Sequence, residues 1–492
     1  MSIDRPIRDV VVAGGGLAGW STAAALKRRI PTLNVAIISS APRNSLVDRV
    51  ISTLPSIGVF HEDLGLTEAD TIWGARSGFR VGTNFEGWSR GLRDYVHAYG
   101  DYGAISSGIA FHQLWLRCGG GTAFDRFSAA AELGRQGRLP ASDASSKPGA
   151  PSVGYGLHLT LERYHELMRA FALHLGVNER RCEILDVRLR GDDGFVEELA
   201  VSDGSTVAGD LFVDCTGSDA LIMGRLDASF DDWSEWLLCD RIVFAKLAAD
   251  PEPELLDRVS AGTAGWSWTA SSPSISSFGT AYSSAHTPTD AAIEAIPARA
   301  RSAADEVPVR QGRWELPWVR NCVAIGDAAV AVEPLEWTNL HLVHSQIDRL
   351  ISMMPGRDCA PVELAEYNRQ CNAEADRVRD FICMHYVTAR RDEPFWKEAA
   401  AIEPPDSLAH TLSLFAERGR LPFYEEETFS RDSWLAVLLG QGFVPRRTDP
   451  LADVVTSAEA ERALATYQES VNAFVSAQPS YGEFMSRIGQ RA

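Results

Sequence analysis

Residues 8–13 (Arg-Asp-Val-Val-Val-Ala) make a short apolar run of the kind that fills a buried parallel strand. A glycine cluster follows, Trp20–Arg29 reads as a helix, and Asn34–Ile38 is a second apolar strand. Strand, helix and strand within about thirty residues form a βαβ unit. Leu161, Tyr164, Leu167, Met168, Phe171, Ala172 and Leu175 recur at i, i+3 and i+4, which predicts an amphipathic helix. Phe195–Val213 alternates as strands around a turn at Asp203-Gly204. Beyond Leu350 the pattern is mostly helical, and Pro361–His385 and Ser457–Ala477 are the longest predicted helices. Ser142–Ser152 and Ser271–Ser277, rich in Ser and Pro, read as exposed loops too short to link domains. The expected architecture is α/β, with a helical C-terminal third.

Composition narrows the function. The chain has 492 residues, 45% hydrophobic and 23% charged, which excludes a disordered or collagen-like polymer. Lys+Arg is 47 against 66 Asp+Glu, a net charge of −19. Such a field repels phosphate backbones and anionic lipid heads, so neither a nucleic-acid nor a membrane partner is expected. The 8 cysteines include no CxxC pair and none with a His at zinc spacing, so no metal site is expected. Scattered thiols of this kind are usually buried and reduced. Met1–Asp9 has no apolar leader, and the apolar stretch Trp434–Val444 is too short for a membrane span. A soluble, cytoplasmic protein is expected. HExxH, GxSxG and P-loop motifs are absent from the sequence.

Gly14, Gly16 and Gly19 stand in register as G-x-G-x-x-G, with Leu17 and Ala18 between them. The first glycine permits a tight turn, the second lets backbone approach a pyrophosphate, and the third lets helix pack on strand. Unpaired N–H groups at the helix start then face the phosphates. The acid expected ~20 residues on, to hold a ribose hydroxyl, is missing. Ser39-Ser40 occupies that place, and Asp48 lies further along. Two more junctions run from an apolar strand into a turn: Asp214-Cys215-Thr216-Gly217 and Ile325-Gly326-Asp327. The three in this order point to a long dinucleotide such as FAD.

With these residues in view, the chain resembles the flavin-dependent tryptophan halogenases. Supporting pieces are Gly19-Trp20, Leu54-Pro55-Ser56-Ile57, Phe85–Trp88, Cys239-Asp240-Arg241, Trp266-Ser267-Trp268, and Gly326-Asp327 running into Pro334-Leu335-Glu336. Arg379-Asp380-Phe381-Ile382, His385-Tyr386, Pro394-Phe395-Trp396 and Gly440-Gln441-Gly442 continue the match. The resemblance implies a flavin-monooxygenase-like FAD module over residues 1–349, with substrate-side insertions, and a helical module over 350–492 covering the substrate side. It implies that a separate flavin reductase supplies reduced FAD by diffusion. O₂ and halide then yield hypohalous acid, which reaches a small aromatic, indole-like substrate in a second pocket. A homodimer is compatible with this reading.

The chain departs from the family at several positions. Arg80 stands where the family has its essential Lys; it cannot become the free amine that an N–halogen adduct needs, but it can donate hydrogen bonds. Glu336 matches the family's Glu, and burial beside Trp337 is expected to raise its pKa. Thr338 and Asn339 fall at the halide-binding turn. Trp266 and Trp268 retain part of the gate motif. The flavin strap, a Gly-x-Gly-Glu-Ala-Thr-x-Pro run, keeps only Thr53 and Pro55, with Ile51 at the Glu position. His97, His112 and His158 read as core histidines. The alternatives are an FAD monooxygenase or oxidase on the same scaffold, or a non-catalytic ligand-binding homologue.

Overall fold

The computed structural model describes residues 6–40, 44–104, 108–140, 151–249 and 254–489. β1 (Asp9–Ala13), α1 (Leu17–Arg29) and β2 (Asn34–Ile38) form the expected βαβ unit. α1 starts at Leu17, earlier than the sequence reading placed it, because the fingerprint turn is itself the start of the helix. β1 pairs in parallel with β2 (Val10 opposite Val35) and with strand Leu211–Asp214 (Val12 opposite Val213). Cys322–Ala324 extends the sheet in parallel on one side and Asn178–Arg180 on the other, while Trp318–Val319 closes an edge antiparallel. Val10 and Val12 pack into the large core with Trp20 and Leu26, whereas Val11 and Ala13 face a second core with Val196, Leu199 and Phe212. Both faces are covered, which explains the unbroken apolar runs.

The strand order reverses at β1, so a crevice opens beyond the carboxyl ends of these strands. The three turns singled out from sequence, after Ala13, Asp214 and Ala324, all lie at that end. Ile325 N–H donates to the Asp214 carbonyl at 2.9 Å and Cys215 N–H to the Ala13 carbonyl at 2.8 Å, fixing the turns to one another.

A second, seven-stranded sheet runs Asp305–Pro308, Arg241–Ala248, Ile275–Tyr282, Gly265–Ser271, Leu256–Ala261, Gly82–Glu86, Tyr95–Ala98. It places Thr83 opposite His97 and carries Trp266 and Trp268. The predicted loop Ser271–Ser277 is instead the tip of a hairpin between Gly265–Ser271 and Ile275–Tyr282, and Ser272 and Ser276 are buried. Ser272 Oγ accepts the N–H groups of Ser274 and Ile275 at 3.2 and 3.0 Å, so the serines serve the turn and not the solvent. Most of Ser142–Ser152 lies outside the described residues.

The C-terminal region is helical. Pro361–Val387 is the longest helix, and Ser457–Ser476 opens on a capping box in which Thr456 and Glu459 satisfy each other's backbone N–H. Leu161–His174 buries Leu161, Tyr164, Met168 and Ala172, the stripe expected from its spacing. Among the described residues, no helix is long and apolar enough to cross a membrane.

Candidate active site

At the fingerprint, Gly14 has φ +115°, and a Cβ there would collide with the Cys215 carbonyl. A Cβ on Gly19 would collide with the Gly14 carbonyl, so both positions require glycine. α1 has no acidic residue in its first turn. Its Leu17 N–H donates to Asp48 Oδ1 at 2.8 Å. That carboxylate is an anion seated at the helix start, on Leu17 and beside Gly16, within the turn of Gly14, Gly16, Leu17, Ala18 and Gly19, and it carries the sign of charge that a phosphate would bring there. Ser39 Oγ donates to Glu179 Oε1 at 3.0 Å. Arg169 pairs with Glu179 and holds it down at about 2. A carboxylate therefore does stand beside Ser39 at the end of β2, supplied by the neighbouring strand, where the sequence spacing could not reveal it. At the third turn, Gly326 N–H is taken by Gln346 Oε1 at 2.7 Å, and burial pushes the Asp327 carboxyl up to about 6.

Glu336 is buried between two imidazoles. His97 Nδ1 lies 2.9 and 2.8 Å from its two oxygens, and His385 Nε2 lies 3.0 Å from Oε1. His385 Nδ1 is 2.9 Å from the Phe381 carbonyl, which can only accept, so Nδ1 carries a hydrogen. One further proton must then sit between His385 Nε2 and Glu336 Oε1. Burial alone would push Glu336 up, but the two histidines outweigh it and lower the carboxyl to about 2. This overturns the expectation of a raised value: His97, read as a core histidine, and His385 supply what the neighbouring ring could not. Aromatic rings surround the pair: Phe85 and Trp88 lie against His385, and Tyr99, Phe381 and Phe429 against His97.

Glu336 (φ +70°) and Trp337 (φ +63°) both adopt the left-handed region. Two consecutive non-glycine residues there are strained, a feature that clusters at functional turns. Thr338 follows, and the helix Asn339–Ser352 begins, so its first N–H groups have no partner within the helix. Thr338 Oγ1 is buried without a partner. Asn339 is less open: its Nδ2 donates to the Val332 carbonyl at 2.9 Å.

Arg80 is fully buried. Its guanidinium donates to the Thr53 carbonyl (2.6 Å), the Tyr99 hydroxyl, the Gly82 carbonyl (3.3 Å) and Thr83 Oγ1 (3.0 Å). Nε lies 2.8 Å from Asp257 Oδ2, off the N–H axis, and His158 Nε2 lies 2.6 Å from Oδ1. Burial opposes the charge on Asp257, yet Arg80 and His158 hold it below the usual carboxylate value. A guanidinium has five N–H groups; the four on its terminal nitrogens are taken by oxygen acceptors, whereas the Nε–H has no hydrogen-bond partner and meets Asp257 by charge alone. Asp257 and the pairing of His158 were invisible in the sequence, which gave no motif for either.

Trp266, Trp268 and Trp337 form a contiguous ladder, with ring centroids 5.4 and 6.0 Å apart. Trp337 Nε1 donates to Thr83 Oγ1 at 3.1 Å, tying the ladder to Arg80. Trp266 Nε1 and the Tyr386 hydroxyl both donate to Glu333 (2.9 Å and 2.8 Å), and burial raises that carboxyl to about 7. The folded protein thus binds a proton more tightly than the unfolded chain between about pH 4.5 and 7, and its stability falls as pH rises through that window. The shift corresponds to about 3 kcal/mol. Glu333→Gln should flatten this fall and raise the melting temperature at pH 8 with little change near pH 4.5, measured by thermal denaturation.

The sequence model described as tryptophan halogenase matches residues 9–457. The chain is 34% identical to the structure of BrvH, a flavin-dependent halogenase from Brevundimonas sp. BAL3, with a TM-score of 0.91 over 98% of this chain and 99% of that one. Xcc4156, a flavin-dependent halogenase from Xanthomonas campestris, is 33% identical with a TM-score of 0.91, covering 98% of each chain. The tryptophan 6-halogenase SttH of Streptomyces toxytricini is 28% identical over 98% of both chains. These matches, over the same sheet, glycine turn and buried carboxylate described above, make the chain an oxidoreductase of the flavin-dependent halogenase type. The chain belongs to the tryptophan halogenase family.

Proposed function

We propose that this protein halogenates a small aromatic, indole-like substrate held against the aromatic faces around Glu336. The observation that carries this reading is the Glu336 carboxylate held between His97 and His385 at 2.8–3.0 Å inside those faces. FAD, in the crevice of Gly14, Gly16, Leu17, Gly19, Glu179 and Asp327, would supply with O₂ the two-electron oxidation of halide to hypohalous acid. Thr338 Oγ1 and the first N–H groups of its helix offer the halide its donors. The substrate ring attacks the halogen of hypohalous acid: the carbon–halogen bond forms, the oxygen–halogen bond breaks, and hydroxide leaves to become water. Glu336 takes the displaced ring proton. A ring carbon bearing both hydrogen and halogen is a strong acid, so a carboxylate of depressed pKa suffices when it is close. Arg80 acts as a positioning residue: through Thr83 it holds Trp337, and through the Tyr99 hydroxyl it holds the ring beside His97.

The reduced cofactor comes from a separate flavin reductase. Incubation with FAD, such a reductase, bromide and a panel of indoles is expected to give a product with the two-isotope pattern of bromine by mass spectrometry. Products gaining only oxygen would move the scaffold to oxygenation. Retained flavin without any product would leave a ligand-binding role.

A further inference from the structure

We infer that the segment Ser45–Asp48 is an internal occupant of the cofactor crevice, with the Asp48 carboxylate in the phosphate seat, and that a dinucleotide must displace it to bind. The inference rests on the flavin reading of the crevice. Asp48 Oδ1 accepts the Leu17 N–H at 2.8 Å, and a Cβ on Gly16, the glycine that admits a pyrophosphate, would run into this carboxylate. Ser45 Oγ donates to Asp48 Oδ2 at 2.7 Å and fixes its rotamer.

The segment, together with Asn44 just before it, is tied to all three turns that line the crevice. At the Gly326-Asp327 turn, Asp327 Oδ2 accepts the N–H groups of Leu46 (2.6 Å) and Val47 (3.1 Å). At the turn after Thr216, Asn44 Nδ2 donates to Asp219 Oδ1 at 3.1 Å, and Ser218 Oγ donates to the Asn44 carbonyl at 3.0 Å. The groups that a dinucleotide would engage, a helix N–H and the Gly-Asp carboxylate, are therefore both spent on this segment. Counted back from Thr53, Asp48 falls on the first glycine of the strap run quoted above, a position where the family pattern has no side chain. A cavity of about 360 Å³ borders the segment, lined by Ser45, Asp48, Arg49, Phe244, Lys246 and Asp305 among others, and gives it room to move aside. A phosphate diester and Asp48 are both anionic, so they exclude each other by charge as well as by volume.

Equilibrium titration with oxidised FAD, followed by flavin fluorescence, tests this on the full chain, with ADP as a second probe lacking the isoalloxazine. Asp48→Ala should tighten both ligands about tenfold, and Asp48→Asn, which keeps an acceptor but no charge, should fall between. Without ligand, Asp48→Ala should melt at a lower temperature because α1 loses its cap, yet show the larger upward shift when FAD is added. Equal or weaker FAD binding by both folded variants would overturn the inference while leaving the flavin reading intact. No FAD binding by any of the three proteins would overturn both.

Discussion

Replacing Arg80 with methionine should lower the unfolding free energy by about 3–5 kcal/mol, the largest loss expected from any single change in the site. The cost comes from what remains, not from what is removed. Asp257 is fully buried, and its Oδ2 would lose its cationic neighbour. His158 on Oδ1 keeps part of the compensation and places the loss toward the lower end of the range. The Thr53 and Gly82 carbonyls and the Tyr99 and Thr83 hydroxyls would also lose a donor. In the variant, burial would raise the Asp257 carboxyl unopposed by Arg80, so the deficit should shrink as pH falls and Asp257 takes up a proton. Chemical denaturation at two pH values separates this from a packing loss, which would be independent of pH. Arg80→Met with Asp257→Leu should recover most of the stability, since the uncompensated charge is gone. Arg80→Lys breaks the planar fork and places there a group that, unlike a guanidinium, can give up its proton to become a free amine, and it should raise the yield of brominated product. Unchanged product from a folded, flavin-loaded Lys variant would count against halogenation.

Much of the cofactor half was legible because its signals are local. The glycine spacing, the apolar runs and the Gly-Asp junction each report a turn whose geometry only a few residue types satisfy, and the structure gathers the three at one crevice. The long C-terminal helices were legible from periodicity for the same reason. The pairings that set the chemistry were not. Glu336 meets His97 across 239 positions and His385 across 49, and only folding brings them together. Glu179 reaches Ser39 through parallel pairing of Asn178–Arg180 with β2, which no spacing rule from the fingerprint anticipates. The Ser271–Ser277 misreading had a different origin: Ser composition suggests solvent, but Ser272 satisfies the backbone of its own turn and is buried.

Glu336→Gln should reduce turnover about 10²–10⁴-fold while leaving the fold and FAD affinity in place. Gln matches Glu in shape, and the cluster can accept it: His97 Nδ1 still faces the side-chain oxygen, and the new NH₂ faces His385 Nε2. What disappears is the negative charge and the proton it shares with His385. If Glu336 takes the ring proton after the halogen is transferred, the loss should fall on kcat with KM little changed, because the contact matters only once that proton becomes acidic. The same substitution has a signature in stability. The carboxyl is held near 2 in the folded protein, well below its ordinary value, so its contribution is present above about pH 4.5 and is lost as pH falls toward 2. Glu336→Gln should lack that acid-limb loss while retaining the loss of stability toward neutral pH that belongs to Glu333. A variant with full turnover would remove Glu336 from the chemistry, and a variant that binds FAD but melts far below the parent at neutral pH would make its role one of holding His97 and His385 together.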